Sequence, residues 1–414
     1  MRKHWLPCTL IPLAIAGILW AQPPIQQATH IVPANLPRRE ASKLAEVAQP
    51  IYYSAASAME WLKRASKPDG RFVYGFQPSL RVQIDGDNFI SQAGAAMALA
   101  RAARYYRDDA GTAKARQAIL TLLLETMPDP QDKNVRYTAA PPGALNRLAS
   151  HGLLVSAIHE LAKPEECKDL LEQAEQLCNY LRQQQRPDGS LFVSFGTDLL
   201  KSGSAELDAE QAGLALQGII RSHKQRPAPW KLEAMRKALG YYQGYWQNNK
   251  NVATVVSHTP AYAEAYLLTK DPAYKDAVFA MNDWLVGLQY REEADTSRKY
   301  WSGGFPRSNH GKEEPGAPDI GSALPAESLV EACRIARVTG DLPRLQRYER
   351  ALIANLHFLM SLQYTGAKTQ HFVEAYRPSV LGAFHGSHQD GNLKLDYTQH
   401  PLCAMVQYLD TVVD

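Results

Sequence analysis

A two-residue polar pattern occurs six times in this chain of 414 residues, each time near the start of a helical stretch rich in small apolar residues. The six copies lie 47 to 72 residues apart and are Ser91-Gln92, Ser150-His151, Glu210-Gln211, Ser257-His258, Glu327-Ser328 and Gln399-His400. Repetition at such a period is typical of one supersecondary unit that is stacked or arranged in a ring. Six helical units therefore predict a closed toroid.

Helical segments alternate along the chain in pairs whose members differ in composition. First members, such as 343–363, carry many charges, which is typical of an outer layer. Second members, such as 92–103, are rich in Ala, Gly and Ser, and small side chains allow the close helix approach of an inner ring. We predict an all-α (α/α)6 toroid over 50–414, with pairs at about 51–65 with 88–106, 112–127 with 144–162, 165–185 with 205–223, 229–247 with 257–269, 273–290 with 322–339 and 342–363 with 395–411.

The links from outer to inner helices also repeat. Residues 67–74 and 186–193 each begin with a Pro-Asp-Gly turn and continue as a short extended stretch with an aromatic residue. Residues 301–306 and 389–392 are looser versions of the same link. We expect function in the longest links, 291–321 and 364–394, because structureless loops of this length are uncommon in a compact domain.

The ends of two outer helices carry a more specific pattern. Tyr180-Leu181-(x)3-Gln185-(x)2-Asp188-Gly189-Ser190 and Trp284-Leu285-(x)2-Leu288-Gln289 resemble the repeats of terpenoid-cyclase and prenyltransferase toroids, and Gly-Gly-Phe-Pro at 303–306 is similar to toroidal pectate lyases. The resemblance covers 51–411 and implies the six-hairpin toroid of these enzymes and of the toroidal polysaccharide lyases and glycosidases. The chain differs from the cyclases because Phe follows its Asp-Gly turns and Asp85-Gly86-Asp87-Asn88 is its nearest approach to an Asp-x-Asp-Asp motif. The zinc ligands of the prenyltransferases cannot be placed.

The N-terminal segment has the features of an export signal. Arg2 and Lys3 precede an apolar run from Leu6 to Trp20 and a small residue at Ala21, which predicts a signal peptide over 1–21 and a leader or linker over 22–49. An uncleaved anchor is the alternative, although we expect no stable membrane span in the mature chain. The formal charge of +3 falls to +1 without Arg2 and Lys3, which does not favour nucleic acid as a partner. We expect an exported monomer, periplasmic or extracellular, without a disulfide framework.

The six dyads should gather polar side chains at one end of the barrel, the natural mouth of a pocket. Polar residues three or four positions away share a helix face with them. The catalytic candidates are His258, Tyr262, His151, Arg147, Asp208, Glu327, Asp396 and His400. The candidates for substrate binding are Asn88, Gln92, Gln211, Tyr74, Phe192, Trp301 and Phe305.

These residue types suit glycan chemistry in two ways. Two carboxylates can hydrolyse a glycosidic bond, one as acid and the other as base or nucleophile. A lyase acting on uronic-acid polymers instead needs a residue that neutralises the sugar carboxylate and a base that removes the C5 proton. His258, Tyr262, Arg147, His151 and Asn88 suit the lyase scheme. The aromatic residues of the links could stack on sugar rings.

Each candidate also has a structural alternative. Asp87, Asp208, Ser257, Ser322 and Asp396 are placed to cap helix N-termini. Gln92 and Gln211 could hydrogen-bond between tightly packed helices, and the histidines could be satisfied buried groups. The aromatic side chains could pack the links onto the barrel.

Metal and cofactor signals are weak. His371, His385 and His388 lie in one link and His400 follows it, but a His-x-x-His pair in a loop is unspecific, and we predict neither a metal nor a cofactor. The sequence thus favours an exported carbohydrate-active enzyme, a glycoside hydrolase or polysaccharide lyase that takes a poly- or oligosaccharide. The alternatives are a non-catalytic glycan-binding or scaffold toroid and a terpenoid-cyclase-like enzyme, which would need an aromatic, apolar cavity.

Overall fold

The computed structural model describes residues 41–138, 147–161, 168–191, 205–291, 296–309, 312–314 and 316–413. Helices dominate these residues, as the pairing of charged and small-residue segments predicts. The helices are α1 (Ala48–Ala65), α2 (Phe89–Tyr106), α3 (Asp109–Leu124), α4 (Arg147–Glu160), α5 (Lys168–Gln183), α6 (Ala205–Gln225), α7 (Pro229–Asn248), α8 (Val252–Thr269), α9 (Pro272–Gly287), α10 (Ala323–Thr339), α11 (Leu342–Ser361), the four-residue α12 (Arg377–Val380) and α13 (Leu395–Tyr408). None of the described helices is long and apolar enough to cross a bilayer.

Six of these helices form a closed inner ring. In spatial order they are α2, α4, α6, α8, α10 and α13, and α13 returns to contact α2. The outer helices α1, α3, α5, α7, α9 and α11 each pack against the inner ring. The prediction of an (α/α)6 toroid is confirmed, and the hairpin links meet at one end of the barrel. We call this end the link end and the other, where short connections join each inner helix to the next outer one, the turn end.

Glycine permits the close approach of the inner helices. A Cβ on Gly152 of α4 would lie 2.1 Å from the carbonyl oxygen of Leu214 in α6, and a Cβ on Gly213 of α6 would lie 2.6 Å from Ser257 in α8. Cβ contacts of this length do not occur in folded proteins, so a larger residue would force the backbones apart. The small residues of the second helix members therefore set the ring spacing, as predicted.

A glutamine at the end of an outer helix fastens the link that follows it. Nε2 of Gln185 donates to the carbonyl oxygens of Gly189 in its own link and of Ala234 in the next outer helix. Gln289 and Gln363 make equivalent bonds to the carbonyls of Gly303 and Gly382 in their links and to the adjacent outer helices α11 and α1. Because these three glycines have φ between 85° and 96°, the link turns require residues that tolerate the left-handed region.

Short strands occupy the links. They are β1 (Gly75–Gln77), β2 (Val82–Ile84), β3 (Thr126–Pro128), β4 (Arg136–Thr138), β5 (Arg307–Asn309), β6 (Lys312–Glu314), β7 (His385–Ser387) and β8 (Asp390–Lys394). One four-stranded antiparallel sheet has the order β2-β1-β8-β7, with Phe76 opposite Leu393, whereas β3-β4 and β5-β6 are separate hairpins. The pairing of β1 with β8 joins the first link to the last and closes the ring at the link end.

The long link 364–394 is largely structured, with helical turns, α12 and two sheet strands, so it is not a structureless loop. Among the described residues, Cys178, Cys333 and Cys403 are buried free thiols that form no disulfide. Burial raises the pKa of Cys403 to about 12, so this thiol stays protonated.

Candidate active site

Polar residues follow one face of the last inner helix from the link end to the turn end. Their spacing of three or four positions keeps them on that face, and they are Asp396, His400, Cys403, Gln407 and Asp410. Two of them bond across to α10, at successive depths: His400 to Glu327 and Gln407 to Glu331. This face of α13 is therefore polar from the link end to the turn end, whereas a terpenoid-cyclase-like enzyme would need an aromatic and apolar cavity.

An ion pair between two inner helices lies nearest the link end. Nδ1 of His400 in α13 is 2.7 Å from Oε1 of Glu327 in α10, and both side chains are partly buried. Burial alone would lower the pKa of His400, but the hydrogen bond to Glu327 and the negative charges of Glu327, Asp396 and Glu210 outweigh it. The pKa of His400 is consequently raised, which favours a charged imidazolium beside a carboxylate.

Glu210 completes this cluster from a third helix, α6. Burial raises the pKa of its carboxyl, and the nearby charge of His400 offsets this only in part. Among the residues that the structure describes, Glu210 has no hydrogen bond or salt bridge. Asp396 also has an unsatisfied buried atom there, Oδ1. Two carboxyl groups that lack partners, beside an ion pair, are poised to meet a ligand.

Sequence reasoning selected Asp208 on this helix and missed Glu210 as a catalytic candidate. The signal was present, because Glu210 is the first residue of the Glu210-Gln211 dyad. The side chain of Asp208 lies outside the described residues, and the prediction for it stays a prediction.

His258 and Tyr262 form a closed pair with no exposed surface. Nε2 of His258 donates to the carbonyl oxygen of Ala209, 2.8 Å away, and Tyr262 donates its hydroxyl to Nδ1 at 3.1 Å. Burial lowers the pKa of His258 to about 4, and the bond to Ala209 offsets this only in part. This neutral pair fastens α8 to α6, which is the structural alternative for a buried histidine.

His151 is similarly enclosed. Its Nε2 accepts from the backbone N–H of Thr138, 3.1 Å away, and so connects α4 to strand β4. Burial, with a smaller contribution from the charge of Arg147, lowers the pKa of His151 to about 3. Arg147 lies over the ring of Tyr137, with 5.1 Å between Cζ and the ring centroid. The His151 imidazole is therefore neutral at ordinary pH.

Because of these two buried histidines, we expect the folded protein to lose stability in acid. Their pKa is near 6.5 in the unfolded chain and about 3 and 4 in the folded one, so below pH 6.5 the unfolded state binds protons that the folded state does not. Each should lower the free energy of unfolding by roughly 1.4 kcal/mol per pH unit between pH 6.5 and its folded pKa. Above pH 6.5 neither contributes to the slope.

Urea unfolding at pH 7 and pH 5 checks this expectation in the His151→Gln variant. Between pH 7 and pH 5, the free energy of unfolding of this variant should fall less than that of the wild type, by the contribution of one histidine. His357→Gln is the matched control because it makes the same substitution at an exposed histidine, on α11. Equal slopes in His151→Gln and the wild type would contradict the assignment.

The glutamines and caps have mainly structural contacts. Gln92 accepts from the backbone N–H of Phe72 and donates to its carbonyl, at 2.8 and 2.9 Å. Gln211 is buried, with Oε1 unpartnered in the described part of the chain. Asn88 accepts from the N–H groups of Ile90 and Ser91 and caps α2. Gln92 and Asn88 thus have well-defined structural roles.

Four of the five expected capping residues, Asp87, Ser257, Ser322 and Asp396, form no capping bond, and the side chain of the fifth, Asp208, lies outside the described residues. Asn88, not Asp87, caps α2, and Asn251 caps α8, so Ser257 lies inside that helix and donates to the carbonyl of Ala253. Ser322 precedes α10 without a capping bond and accepts from the N–H of Phe305. For α13 the cap position is Lys394, and Asp396 lies in the first turn. The carboxyl group of Asp396 is consequently not used for capping.

The aromatic candidates differ in exposure. Phe305 is 1% exposed and belongs to the core, so it packs the fifth link onto the barrel. Trp301 is partly exposed and stacks near Tyr290, with ring centroids 5.2 Å apart. Tyr74 is also partly exposed and covers Gly86. Phe192 lies outside the described residues.

The histidines of the last link do not converge with His400 on one point. The His385 and His388 rings have centroids 6.5 Å apart, and His371 packs on Phe372. Within the described ranges, no group of three or more His, Cys, Asp or Glu side chains is arranged to hold a metal ion.

The structure is an (α/α)6 toroid with a cluster of carboxylate and histidine side chains at its link end. No protein-family model matches the chain, and no curated protein matches it. Solved structures match it over most of its length. The chain is similar to a cellobiose 2-epimerase from Bacillus thermoamylovorans, with 11% identity, a TM-score of 0.65 and coverage of 87% of this chain and 99% of that one.

Two hydrolases have the same architecture. An α-1,6-mannanase from Salegentibacter sp. is 11% identical, with a TM-score of 0.59 over 88% of this chain and 99% of its own. An unsaturated glucuronyl hydrolase specific for heparin is 12% identical, with a TM-score of 0.61 over 87% of this chain and 97% of its own. At these identities the similarity establishes the toroid fold.

Proposed function

We propose that this protein is a carbohydrate-active enzyme that hydrolyses a glycosidic bond at the link end of its barrel. The observation that carries the proposal is the cluster of Glu210, Glu327 and Asp396 around His400, in which the carboxyl groups have unequal environments. Pairs of carboxyl groups with such different environments divide into an acid and a base. The names of the similar structures, all of them enzymes of sugar chemistry, support the same substrate class.

The roles follow from the electrostatics. Glu210, whose raised pKa keeps its proton available, donates to the leaving oxygen. Glu327, whose Oε1 lies 2.7 Å from Nδ1 of His400, acts as the base or nucleophile. Asp396 lies beside this pair, and its negative charge helps to raise the pKa of His400. Trp301 and Tyr74, both partly exposed in links, are the candidates for stacking on sugar rings.

The lyase scheme is the weaker alternative. It would require His258 or Tyr262 to reach a C5 proton, but both side chains are fully buried and bonded to each other. The scaffold alternative fits Gln92, His151 and Asn88, which have protein partners. It does not explain why, among the described residues, Glu210 has no hydrogen bond and Oδ1 of Asp396 is buried without a partner.

The test is incubation of the purified protein with a panel of polysaccharides and oligosaccharides, followed in three ways: new reducing ends, ultraviolet absorbance of unsaturated uronates, and isomer composition of free sugars. We expect reducing ends without unsaturated product. Unsaturated product would replace hydrolysis with β-elimination, and isomerisation without cleavage would place the chemistry with the epimerase-like toroids. Inactivity across the panel, together with glycan binding, would favour the non-catalytic alternative.

Export belongs to the same proposal, because the apolar run that follows Arg2 and Lys3 is typical of a signal peptide. Signal-peptide cleavage after Ala21 would leave Gln22 as the first residue of the mature protein. N-terminal sequencing of the protein recovered from the periplasm or medium checks this. An intact Met1 on a membrane-bound protein would show that the segment remains as an anchor.

A further inference from the structure

A cavity opens at the turn end of the barrel, away from the proposed active site. Its volume is about 360 Å³, and it lies among the C-terminal halves of the inner helices. The lining side chains that carry the argument are Arg101, Arg104, His159, Glu160, Arg221 and Gln407. This volume is at the lower end of the range for small-molecule pockets.

The charged groups of the cavity are paired with each other. Glu160 forms ion pairs with Arg101, Arg104 and Arg221, with N–O distances of 2.5, 3.1 and 2.8 Å. Burial would raise the pKa of Glu160, but these three guanidinium groups outweigh it and hold the pKa far below its ordinary value. Asp410 also lies 3.7 Å from Arg104. The side chains around the cavity carry a small excess of positive charge. The partial negative charge at the C-terminal ends of the inner helices offsets it, so the cavity has no strong preference for an ion.

The unpaired polar atoms of the cavity are neutral. Gln407 is 8% exposed, and its Nε2 donates to Glu331, whereas its Oε1 has no partner among the described residues. Both ring nitrogens of His159 likewise lack a partner there. Burial, with the nearby charge of Arg221, lowers the pKa of His159 to about 4, so its neutral ring offers one donor and one acceptor.

From the unsatisfied Gln407 amide oxygen and His159 ring that line this cavity, we propose that it is a second binding site for a neutral polyhydroxy compound of monosaccharide size. These three atoms are buried in the structure, so the two side chains must turn toward a ligand in the cavity. Hydroxyl groups both donate and accept, so one polyhydroxy ligand can then supply partners for the amide oxygen and the ring nitrogens. A buried polar atom without a partner costs about 1–3 kcal/mol, so a ligand that supplies partners is favoured. The site is independent of hydrolysis at the link end.

Saturation-transfer NMR and calorimetric titration with glucitol test the proposal. Glucitol has no glycosidic bond and no reducing end, so it is neither cleaved nor isomerised by a sugar-converting site. Hexane-1,6-diol keeps the carbon chain with fewer hydroxyl groups, and gluconate adds a negative charge. We expect saturable binding of glucitol, weaker binding of the diol, and no gain from the charge of gluconate.

The variants locate the binding. His159→Phe and Gln407→Met keep the side-chain shape and should each weaken glucitol binding about three- to tenfold, the loss of one or two neutral hydrogen bonds. His357→Phe, an exposed histidine outside the cavity, should leave it unchanged, and so should Glu210→Gln at the link end. Unchanged melting temperatures confirm that the variants fold.

Three results would overturn the proposal. The first is no detectable glucitol binding by the wild type, which means that the cavity holds only water. The second is equal binding by the wild type, His159→Phe and Gln407→Met. The third is loss of binding in Glu210→Gln, which would place the ligand at the link end. Because the probe is not a substrate, none of these results bears on whether the link end hydrolyses glycans.

Discussion

Replacement of Glu210 by Gln is expected to lower kcat/KM on a cleaved glycan by roughly 10²–10⁴-fold, the usual contribution of a positioned acid. The amide has the same shape and cannot donate a proton to a leaving oxygen. Stability should change little, because the carboxyl has no hydrogen bond in the described part of the structure and burial already disfavours its charged form. Steady-state kinetics and thermal unfolding measure the two effects separately.

The pH profile distinguishes this role from a general loss of structure. Because the pKa of Glu210 is raised, activity of the wild type should fall as the pH rises through that value, and the alkaline limb should disappear from the residual activity of Glu210→Gln. Glu233→Gln is the matched control, since Glu233 is exposed on α7 and pairs with Lys237 one turn along the same helix. Activity of Glu210→Gln within a few-fold of the wild type would remove this residue from the mechanism.

The largest stability effect is expected for Gly152→Ala. The added Cβ would meet backbone on α6, 2.1 Å from the carbonyl oxygen of Leu214 and 2.8 Å from Cα of Ala215, so no side-chain rearrangement can relieve the contact. The two inner helices must separate, and we expect a loss of about 3 kcal/mol in the free energy of unfolding, as in severe overpacking. Chemical denaturation with circular dichroism measures it.

Gly240→Ala is the control in an open position. Gly240 lies inside the outer helix α7 and is exposed, and a Cβ there meets nothing within 4 Å. Because alanine is a better helix former than glycine, this variant should gain about 0.5–1 kcal/mol. Equal effects of the two substitutions would mean that glycine does not set the spacing of the inner ring.

Most of the fold was predictable because its determinants are local. Small residues such as Gly152 and Gly213 mark the inner helices, and turns such as the one at Gly189 mark the links. The main error was the start of α8, which begins at Val252 and not near 257. Residues 252–256 include three valines and a threonine, whose β-branched side chains disfavour helix, and packing in the ring overrides that preference.

The site was predictable only as a region. The repeat placed His258 and His400 at equivalent positions. In the structure, however, His258 is buried and bonded to the carbonyl of Ala209, whereas His400 pairs with Glu327. The difference depends on which neighbouring helix each ring meets, and spacing along one helix does not contain that information. The importance of Glu210 likewise depends on the burial and the charge that α13 supplies.

The most direct test of the account is a crystal structure of the Glu210→Gln variant with an oligosaccharide that the wild type cleaves. The account predicts a sugar at the link end, with a glycosidic oxygen within hydrogen-bonding distance of residue 210 and a ring carbon beside Glu327, which is paired with His400. An oligosaccharide bound only at the turn end or on the outer helices, with the link-end cluster untouched, would contradict it.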